Sequence, residues 1–504
     1  MSATYQIPRE IRAREVMLGA LFLPDLSAAV QAFIRAGYGL LMLATLVQAL
    51  PEARRFFMSE RWGGYARSSR DVDALQNPTL MPVLLAIWVA SAVAITTGWE
   101  TPWPALINLA LCRYFFIHMR WKSVLRGMGA PGFIAYWTGL AVFLLEYTAR
   151  FAPDIRPLAL LVAQVDFALV MLSAGIYKFT AGYPRNHGME LGLCNPMWGY
   201  WWRWYAARRP SSAVFWTMNQ LAWGTEVVAA LMMLFPPTRE LGGVLIIVSF
   251  LFILTQIRLG FLCEMVVLCG LLYVAPGGVL DGWIAALVGP VPVQGPVAVG
   301  ATLAGVNVML AVGLWAYLAL LPCAHAGLYY NFYARRSLSS PFQQLLVRYT
   351  NLFGMIIWRV FSVDVVNFFI RTWREPRCGG ARSTAGTLGS WPRFNHVGEM
   401  ICLTSLFTTL KYYPSDDALF RERLLRYART LPRESDELLV FEYVSVVRCE
   451  SHFDWVPVAE YRVDVEAASV DERLFDSAFS PRAAHAVSPV HEGRVPGSYA
   501  PANQ

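Results

Sequence analysis

The stretch PLALLVAQVDFALVMLSAGIYKFTAGYP, residues 157–184, decides the fold of this chain. Its first 24 residues, 157–180, contain only two charged side chains, Asp166 and Lys178. About 20 predominantly apolar residues are enough for a helix to cross the hydrocarbon layer of a membrane. We therefore predict a transmembrane helix here, with a lysine at the point where the apolar run meets a glycine turn.

The whole chain has the composition of a membrane protein. Of its 504 residues 56% are hydrophobic and only 15% are charged, which lies outside the range of soluble proteins. The apolar windows lack the alternation of a membrane barrel, and a helix satisfies its own backbone groups in lipid. We predict an α-helical polytopic membrane protein with about 8–9 transmembrane helices and a small C-terminal α+β soluble domain. The candidate spans are Leu26–Leu50, Leu80–Trp99, Pro104–Met119, Phe133–Phe151, Pro157–Thr180, Val214–Phe235, Leu241–Ile257, Leu259–Ala275 and Pro296–Leu321.

Shifts in composition divide the chain into five regions. Residues 323–362 mix apolar groups at helical spacing with arginines, as an interfacial helix does. Residues 363–468 combine Val-, Phe- and Tyr-rich stretches with a helix that begins at Asp416 and Asp417. The predicted regions are an N-terminal interfacial segment (1–25), the transmembrane domain (26–322), an interfacial collar (323–362), the α+β domain (363–468) and a disordered or partner-bound tail (469–504).

The charge distribution and the spacing of cysteines and histidines limit the classes of binding partner that we expect. The net charge of +7 is spread over many short loops, which suits loops facing anionic lipid and argues against nucleic acid. The eight cysteines form no C-x-x-C pair, and the seven histidines lack the usual spacing of metal ligands. We therefore expect no metal site.

Several charged residues fall inside the predicted spans, where an unpaired charge costs at least about 2.5–3.5 kcal/mol. We expect them to form an intramembrane polar network, either as interhelical ion pairs or around a guest molecule. They are Arg113, Asp166, Glu226, Arg258 and Glu264. His118, in the third span, is either a structural histidine or a catalytic helper.

Lys178 is one of only three lysines in the chain. It lies about 18 Å along the helix from Asp166, so these two cannot pair. Its ammonium either snorkels to the headgroups or is desolvated and acts as a base. In the second case it needs a carboxylate on another helix, a carbonyl, a ligand or interfacial water.

An aromatic run follows this helix, in CNPMWGYWWRWYAARRP, residues 194–210. Trp198, Trp201 and Trp202 fit an interfacial belt, where indole rings prefer the headgroup level. Alternatively, they line an access route for a lipid or quinone.

The order of parts in residues 169–205 and 225–241 resembles the membrane superfamily that contains vitamin K-dependent γ-carboxylase, the lipase maturation factors and the bacterial horizontally transferred transmembrane domain proteins. A helix ends in Gly-x-x-Lys, and a turn, an aromatic Asn-Pro segment and a Glu-bearing helix follow. The matching residues are Gly175, Lys178, Gly182, Pro184, Asn195, Pro196 and Glu226. Residues 351–371 and 391–414 are similar to the C-terminal domain of the lipase maturation factors.

The resemblance implies two functions. The domain plan matches the lipase maturation factors better, which implies a maturation or assembly factor, or an accessory subunit, whose partners are the bilayer and a client protein or membrane-complex subunits. The carboxylase branch implies an enzyme that uses a lipid-soluble quinol, with Lys178 as base and His118 as helper. The turn after Lys178 departs from the acidic Gly-Asp-Pro-x-Trp pattern of that branch. The expected location is a bacterial inner membrane.

Overall fold

A computed structural model describes residues 23–119, 130–291, 297, 300–334, 336–355, 357–358, 363–385 and 394–475. The predicted N-terminal segment and most of the predicted tail lie outside these ranges. The helices are α1 (Ala28–Ala49), α2 (Ala53–Phe57), α3 (Arg70–Leu75), α4 (Leu80–Thr97), α5 (Pro102–Cys112), α6 (Ala130–Phe151), α7 (Arg156–Thr180), α8 (Met189–Leu193), α9 (Trp202–Ala206), α10 (Ala213–Leu234), α11 (Arg239–Gln256), α12 (Leu262–Gly270), α13 (Val279–Val288), α14 (Ala301–Tyr333), α15 (Ser340–Phe353), α16 (Val363–Val366), α17 (Phe394–Tyr412) and α18 (Asp417–Arg429).

Six helical segments are long and apolar enough to cross a membrane, which supports a multi-pass membrane protein. They are Ala28–Phe57, Leu80–Thr97, Ala130–Phe151, Pro153–Thr180, Pro236–Gln256 and Ala301–Tyr333. The other three predicted spans also coincide with helices. Of these, α5 and α12 are short, and α10 has 22 residues but carries Asn219, Gln220 and Glu226.

The third predicted span differs from the structure in its form, whereas the two spans predicted within 241–275 are confirmed as two separate helices. The third continues past α5 as one π-helical turn, Arg113–His118. The apolar region 250–275 is two helices, because the chain leaves helical geometry at Ile257, where φ is −136° and ψ is 143°. The extended backbone at this break forms hydrogen bonds with the backbone of residues 198 and 200.

The last long helix extends further than predicted. The sequence places its end at Leu321, whereas α14 runs through Pro322 to Tyr333. With 33 residues it is about 50 Å long, longer than the hydrocarbon layer. Helix α15 follows as the amphipathic element of the predicted collar, and its Leu346 packs with Leu321 and Ala324 of α14.

The C-terminal region is a small α+β unit, as predicted. Its strands are β1 (Phe368–Pro376), β2 (Ser383–Thr384), β3 (Glu437–Arg448), β4 (Phe453–Asp464) and β5 (Ser469–Leu474). They form one antiparallel sheet in the order β2-β1-β3-β4-β5. Phe407 of α17 and Phe420 of α18 pack on Phe441 and Tyr461 of the sheet. The edge strand β5 occupies the first residues of the predicted tail, because Val463 pairs with Val470 across the hairpin.

Candidate functional site

Lys178 and Glu226 form a buried ion pair between two helices. The ammonium of Lys178, in the last turn of α7, donates a hydrogen bond to Oε1 of Glu226 on α10. Both side chains are only 2% exposed. This burial contradicts snorkelling, which requires an ammonium exposed at the headgroup level. The partner is a carboxylate on another helix, one of the alternatives that the sequence left open.

Gly175 explains why these two helices come close enough for the pair to form. A Cβ at this position would lie 2.6 Å from Cγ2 and 2.9 Å from the backbone nitrogen of Val227, the residue after Glu226. A side chain larger than hydrogen therefore does not fit between α7 and α10. Small residues play this role at helix contacts in membranes. In the sequence Gly175-x-x-Lys178, the glycine at which α7 touches α10 therefore lies one helical turn before the lysine that pairs with Glu226.

A second buried polar cluster lies on the same face of α10, two turns before Glu226. Asn219 is fully buried and donates to Oδ1 of Asn186 at 2.8 Å and to Oε2 of Glu190 at 2.9 Å. The carboxylate of Glu190, also fully buried, accepts from the backbone nitrogen of Gly188 at 2.9 Å. These bonds fix the loop after α7, in which Asn186 has a φ of +56°.

Tyr183 links the two clusters. It is fully buried, and burial raises the pKa of its phenol well above the ordinary value, with further raising contributions from the negative charges of Glu190 and Glu226 and from Tyr177. The phenol therefore stays protonated, within electrostatic reach of both carboxylates. Lys178, Glu226, Tyr183, Asn219 and Glu190 together are called the junction cluster here.

The junction cluster is attached to the C-terminal sheet through the hairpin between β3 and β4. The guanidinium of Arg448 donates to the backbone oxygen of Asn186 and lies 3.2 Å from Oε1 of Glu190. Nearby, the indole nitrogen of Trp455 donates to the backbone oxygen of Cys194 at 3.2 Å. The loop after α7 therefore contacts both the membrane helices and the sheet.

Asn195, in the Asn-Pro segment, makes the most direct connection to the sheet. Its buried amide donates to the backbone oxygens of Val366 at 2.8 Å and Phe368 at 2.9 Å, where β1 begins. Its Oδ1 accepts from the nitrogen of Met197 at 2.9 Å. The amide nitrogen thus holds the start of β1 against the loop, while the amide oxygen fixes the turn of the loop itself.

Arg258 holds the other side of the Asn-Pro segment. It lies at the break between α11 and α12, and its guanidinium donates to the backbone oxygens of Pro196 at 2.9 Å and Gly199 at 3.0 Å. Its own backbone nitrogen donates to the oxygen of Trp198 at 2.8 Å. The extended backbone at the break is therefore satisfied by protein, as irregular backbone near a membrane must be.

Asp166 belongs to a separate polar cluster. Its Oδ2 accepts from the indole of Trp137 at 2.9 Å and from the hydroxyl of Tyr317 at 2.8 Å, so it ties α7 to α6 and α14. Arg113 contacts yet another place, the backbone oxygen of Asn351 in α15, at 2.7 Å. Glu264 lies in the first turn of α12. The predicted network thus corresponds to several local clusters with different partners.

The remaining predicted site residues are not brought together around Lys178. His118 is 49% exposed and lies 3.6 Å from Asp71. Trp198 is buried, whereas Trp201 is 59% exposed and donates to the backbone oxygen of Thr255. Trp202 packs edge-on against Trp455. The three indoles point into different surroundings, which fits an interfacial belt more closely than one ligand pocket.

The sequence patterns did not identify Asn219, Glu190 and Asn195 as residues that connect the helices, the loop and the sheet. One pattern pointed to Asn219, since it lies seven residues before Glu226 and therefore on the same helical face. Comparison of the chain with protein-family models, with curated proteins and with solved structures finds no match. The superfamily resemblance therefore stays a prediction.

Proposed function

We propose that this protein assists the maturation or assembly of a client protein, or serves as an accessory subunit of a membrane complex, in a bacterial inner membrane. The observation that carries the proposal is the buried amide of Asn195, which donates from a membrane-side loop to the carbonyls of Val366 and Phe368. This connection holds the sheet at a fixed position on the helices. Helices and sheet together then offer one continuous surface to a partner.

The ion pair supports the same proposal. Lys178 and Glu226 satisfy each other at the contact of α7 and α10, the helices that carry the loop and the junction cluster. A buried pair is well suited to fix one arrangement of two helices, since a slipped arrangement leaves a charge unpaired. In this function Lys178 positions the loop that holds the sheet, and no proton transfer is needed.

The test is gentle cross-linking of the full chain in its native membranes, followed by identification of the cross-linked chains. Asn195→Ala should lose the defined cross-linked partner, because two buried carbonyls at the start of β1 lose their donor. The double variant Lys178→Met with Glu226→Leu should keep it, because two apolar side chains replace the pair. The matched control is Gln344→Ala, an exposed amide side chain on α15 whose only described bond is a 3.5 Å contact to Oγ of Ser340. If the wild type yields no reproducible partner, or if Asn195→Ala keeps it unchanged, the proposal is wrong.

A second candidate function is a membrane enzyme acting on a lipid-soluble quinol. It is favoured by Oε2 of Glu226, which is buried and has no hydrogen-bond partner among the described residues. Transfer of the ammonium proton to Glu226 would leave Lys178 as a neutral amine, able to remove a proton from a quinol hydroxyl.

The two candidates make opposite predictions for one experiment. The protein is placed in lipid nanodiscs with a reduced quinone, and quinol oxidation under air is followed by absorbance. The enzyme candidate requires turnover that is lost in the double variant Lys178→Met, Glu226→Leu while the fold remains. Absence of turnover in the wild type above an empty-nanodisc control would reject this candidate and leave the assembly proposal standing.

A further inference from the structure

The turn between β3 and β4 brings together three side chains of the kinds that bind transition metals. Within the described residues, the Sγ of Cys449, a ring nitrogen of His452 and a carboxylate oxygen of Asp454 all lie within 4.8 Å of one another. Oδ2 of Asp454 lies 3.4 Å from Sγ of Cys449 and 3.0 Å from Nε2 of His452. We propose that this turn is a site for a zinc-class divalent ion, a function separate from the assembly role.

The spacing of the donor atoms fits a tetrahedral ion. Ligands about 2.0–2.3 Å from zinc lie roughly 3.3–3.7 Å from one another. The two separations at Asp454 are within a few tenths of an ångström of that range, and the separation between Sγ of Cys449 and the imidazole nitrogen, at most 4.8 Å, closes to it by a rotation of roughly 1 Å at the side-chain ends. A thiolate with an imidazole and a carboxylate selects zinc, cobalt or nickel over magnesium or calcium, which prefer oxygen ligands. Three protein ligands leave a fourth position open for water or a partner's side chain.

The arrangement fits a metal better than a nucleophilic cysteine. In a cysteine nucleophile the base contacts the sulfur directly. Here Asp454 stands between Cys449 and His452: the thiol of Cys449 donates to Oδ2 of Asp454, and Nε2 of His452 lies 3.0 Å from the same oxygen. The sulfur and the imidazole therefore meet at the carboxylate, which brings the three ligand atoms together.

The turn is built rigidly enough to present these donors. The backbone nitrogen of Cys449 donates to the oxygen of His452 at 3.0 Å, which closes the turn. Three residues next to the ligands in sequence contact the helical part of the protein. They are Arg448, Phe453 and Trp455. Arg448 bonds to the junction cluster, Phe453 packs on Phe215 with ring centroids 5.5 Å apart, and Trp455 packs on Trp202 at 5.3 Å.

The remaining nitrogen of the imidazole is also fixed. The ring nitrogen Nδ1 of His452 lies 3.0 Å from Oγ of Ser451. Metal-bound histidines usually have such an outer partner, and when Nδ1 donates its hydrogen to Oγ of Ser451, Nε2 is left unprotonated for the ion. The side chains of His452 and Asp454 are 56% and 50% exposed, so an ion has access from solvent.

Cobalt(II) is the probe for this site. The full chain, reduced and freed of metal in detergent, is titrated with Co²⁺ while the thiolate-to-cobalt charge-transfer band and the tetrahedral visible bands are recorded. We expect both bands to saturate at one ion per chain and to disappear on addition of an equivalent of Zn²⁺. Because all ligands lie within six residues, chelation should remove the ion and leave the near-ultraviolet circular dichroism of the protein unchanged.

Matched variants separate this site from adventitious binding. Cys449→Ser should lose the charge-transfer band, and Cys378→Ser, at an exposed cysteine that follows β1 of the same sheet, should keep it. Ser451→Ala should weaken Co²⁺ binding about tenfold through loss of the outer partner. The proposal is overturned if the wild type shows no saturable binding at one equivalent, or if Cys449→Ser retains the wild-type spectrum and affinity.

Discussion

At the scale of single residues, the Lys178–Glu226 pair makes a prediction about stability. Lys178→Met leaves the Glu226 carboxylate buried without its cation and should destabilise the protein by about 3–5 kcal/mol. Adding Glu226→Leu removes the stranded charge and should restore most of that loss. Thermal unfolding in detergent micelles measures both. The control is Arg61→Met, since the Arg61 side chain is 65% exposed and should change stability by less than about 1 kcal/mol.

The same pair shows what one sequence can and cannot reveal about a site. A lysine in an apolar run predicts that a partner exists, because an unpaired ammonium is costly there. It does not identify that partner, since Glu226 is 48 residues away and reaches Lys178 only through the packing of α7 on α10. Likewise, Asn195 was singled out by resemblance, but its acceptors are backbone atoms 171 and 173 residues away.

A second residue-scale prediction concerns pH and Glu460, in the C-terminal sheet. Burial alone would raise the pKa of this carboxyl, but hydrogen bonds and positive charge from Arg382 and Arg462 outweigh burial and hold the pKa below its ordinary value of 4.5. The stabilisation from this group is therefore present above pH 4.5 and is lost as the pH falls through the lowered folded-state pKa.

Glu460→Gln is expected to remove that dependence. The variant should be less stable than the wild type near neutral pH, and the gap should narrow as the solution becomes acidic. Exchange of backbone amides in β4, followed at several pH values, reports the difference. A gap that stays constant or widens below pH 4.5 would contradict the assigned role of the carboxylate.

At the scale of helices, Gly175 makes the next prediction. Gly175→Val places a side chain where even a Cβ meets the backbone of α10 at 2.9 Å, so the helices must separate. We expect a loss of about 1–3 kcal/mol from overpacking. Cysteines introduced at positions 178 and 226 of the variant should also cross-link more slowly than the same pair in the wild-type background.

Gly224, on the facing helix α10, provides the matched control. A Cβ at Gly224 would meet nothing within 4 Å. Gly224→Ala should therefore be neutral or slightly stabilising, because alanine is the better helix former by about 1 kcal/mol. If both variants lose stability equally, the close approach at Gly175 is not what holds the two helices together.

The helices also show that sequence patterns predict the location of a long apolar helix better than they predict its ends. Apolar windows located the six helices that are long and apolar enough to cross a membrane, because burial in lipid demands an uninterrupted apolar run. Their ends were less predictable. The change in composition from residue 323 indicated an end near Leu321, yet α14 continues to Tyr333 with Phe332 packed on Tyr177. The helix therefore extends beyond its apolar section where it makes tertiary contacts, and these contacts cannot be predicted from composition alone.

At the scale of the whole molecule, the membrane helices and the sheet are joined by polar contacts that no single segment could reveal. The sequence predicted both units, since each has its own hydrophobic periodicity. It did not predict that the β3–β4 hairpin would lie on the loop after α7. The hairpin supplies Arg448 to the junction cluster and also carries Cys449, His452 and Asp454. Their C-x-x-H-x-D spacing differs from the C-x-x-C pairs and clustered histidines that are typical of zinc sites, so the sequence pattern did not indicate them.

Arg448→Ala tests whether the two units behave as one body. The variant removes a charged hydrogen-bond donor from Glu190, at a cost of about 1.5–3 kcal/mol. Amide exchange should therefore rise roughly tenfold or more in residues 446–456 and 186–190, while strand β3 around Phe441 stays protected by its own sheet and helices. Arg429→Ala, at the exposed end of α18, is the control and should change neither segment. Equal exchange in wild type and Arg448→Ala would mean that Asn195 and Trp455 hold the sheet in place without this guanidinium.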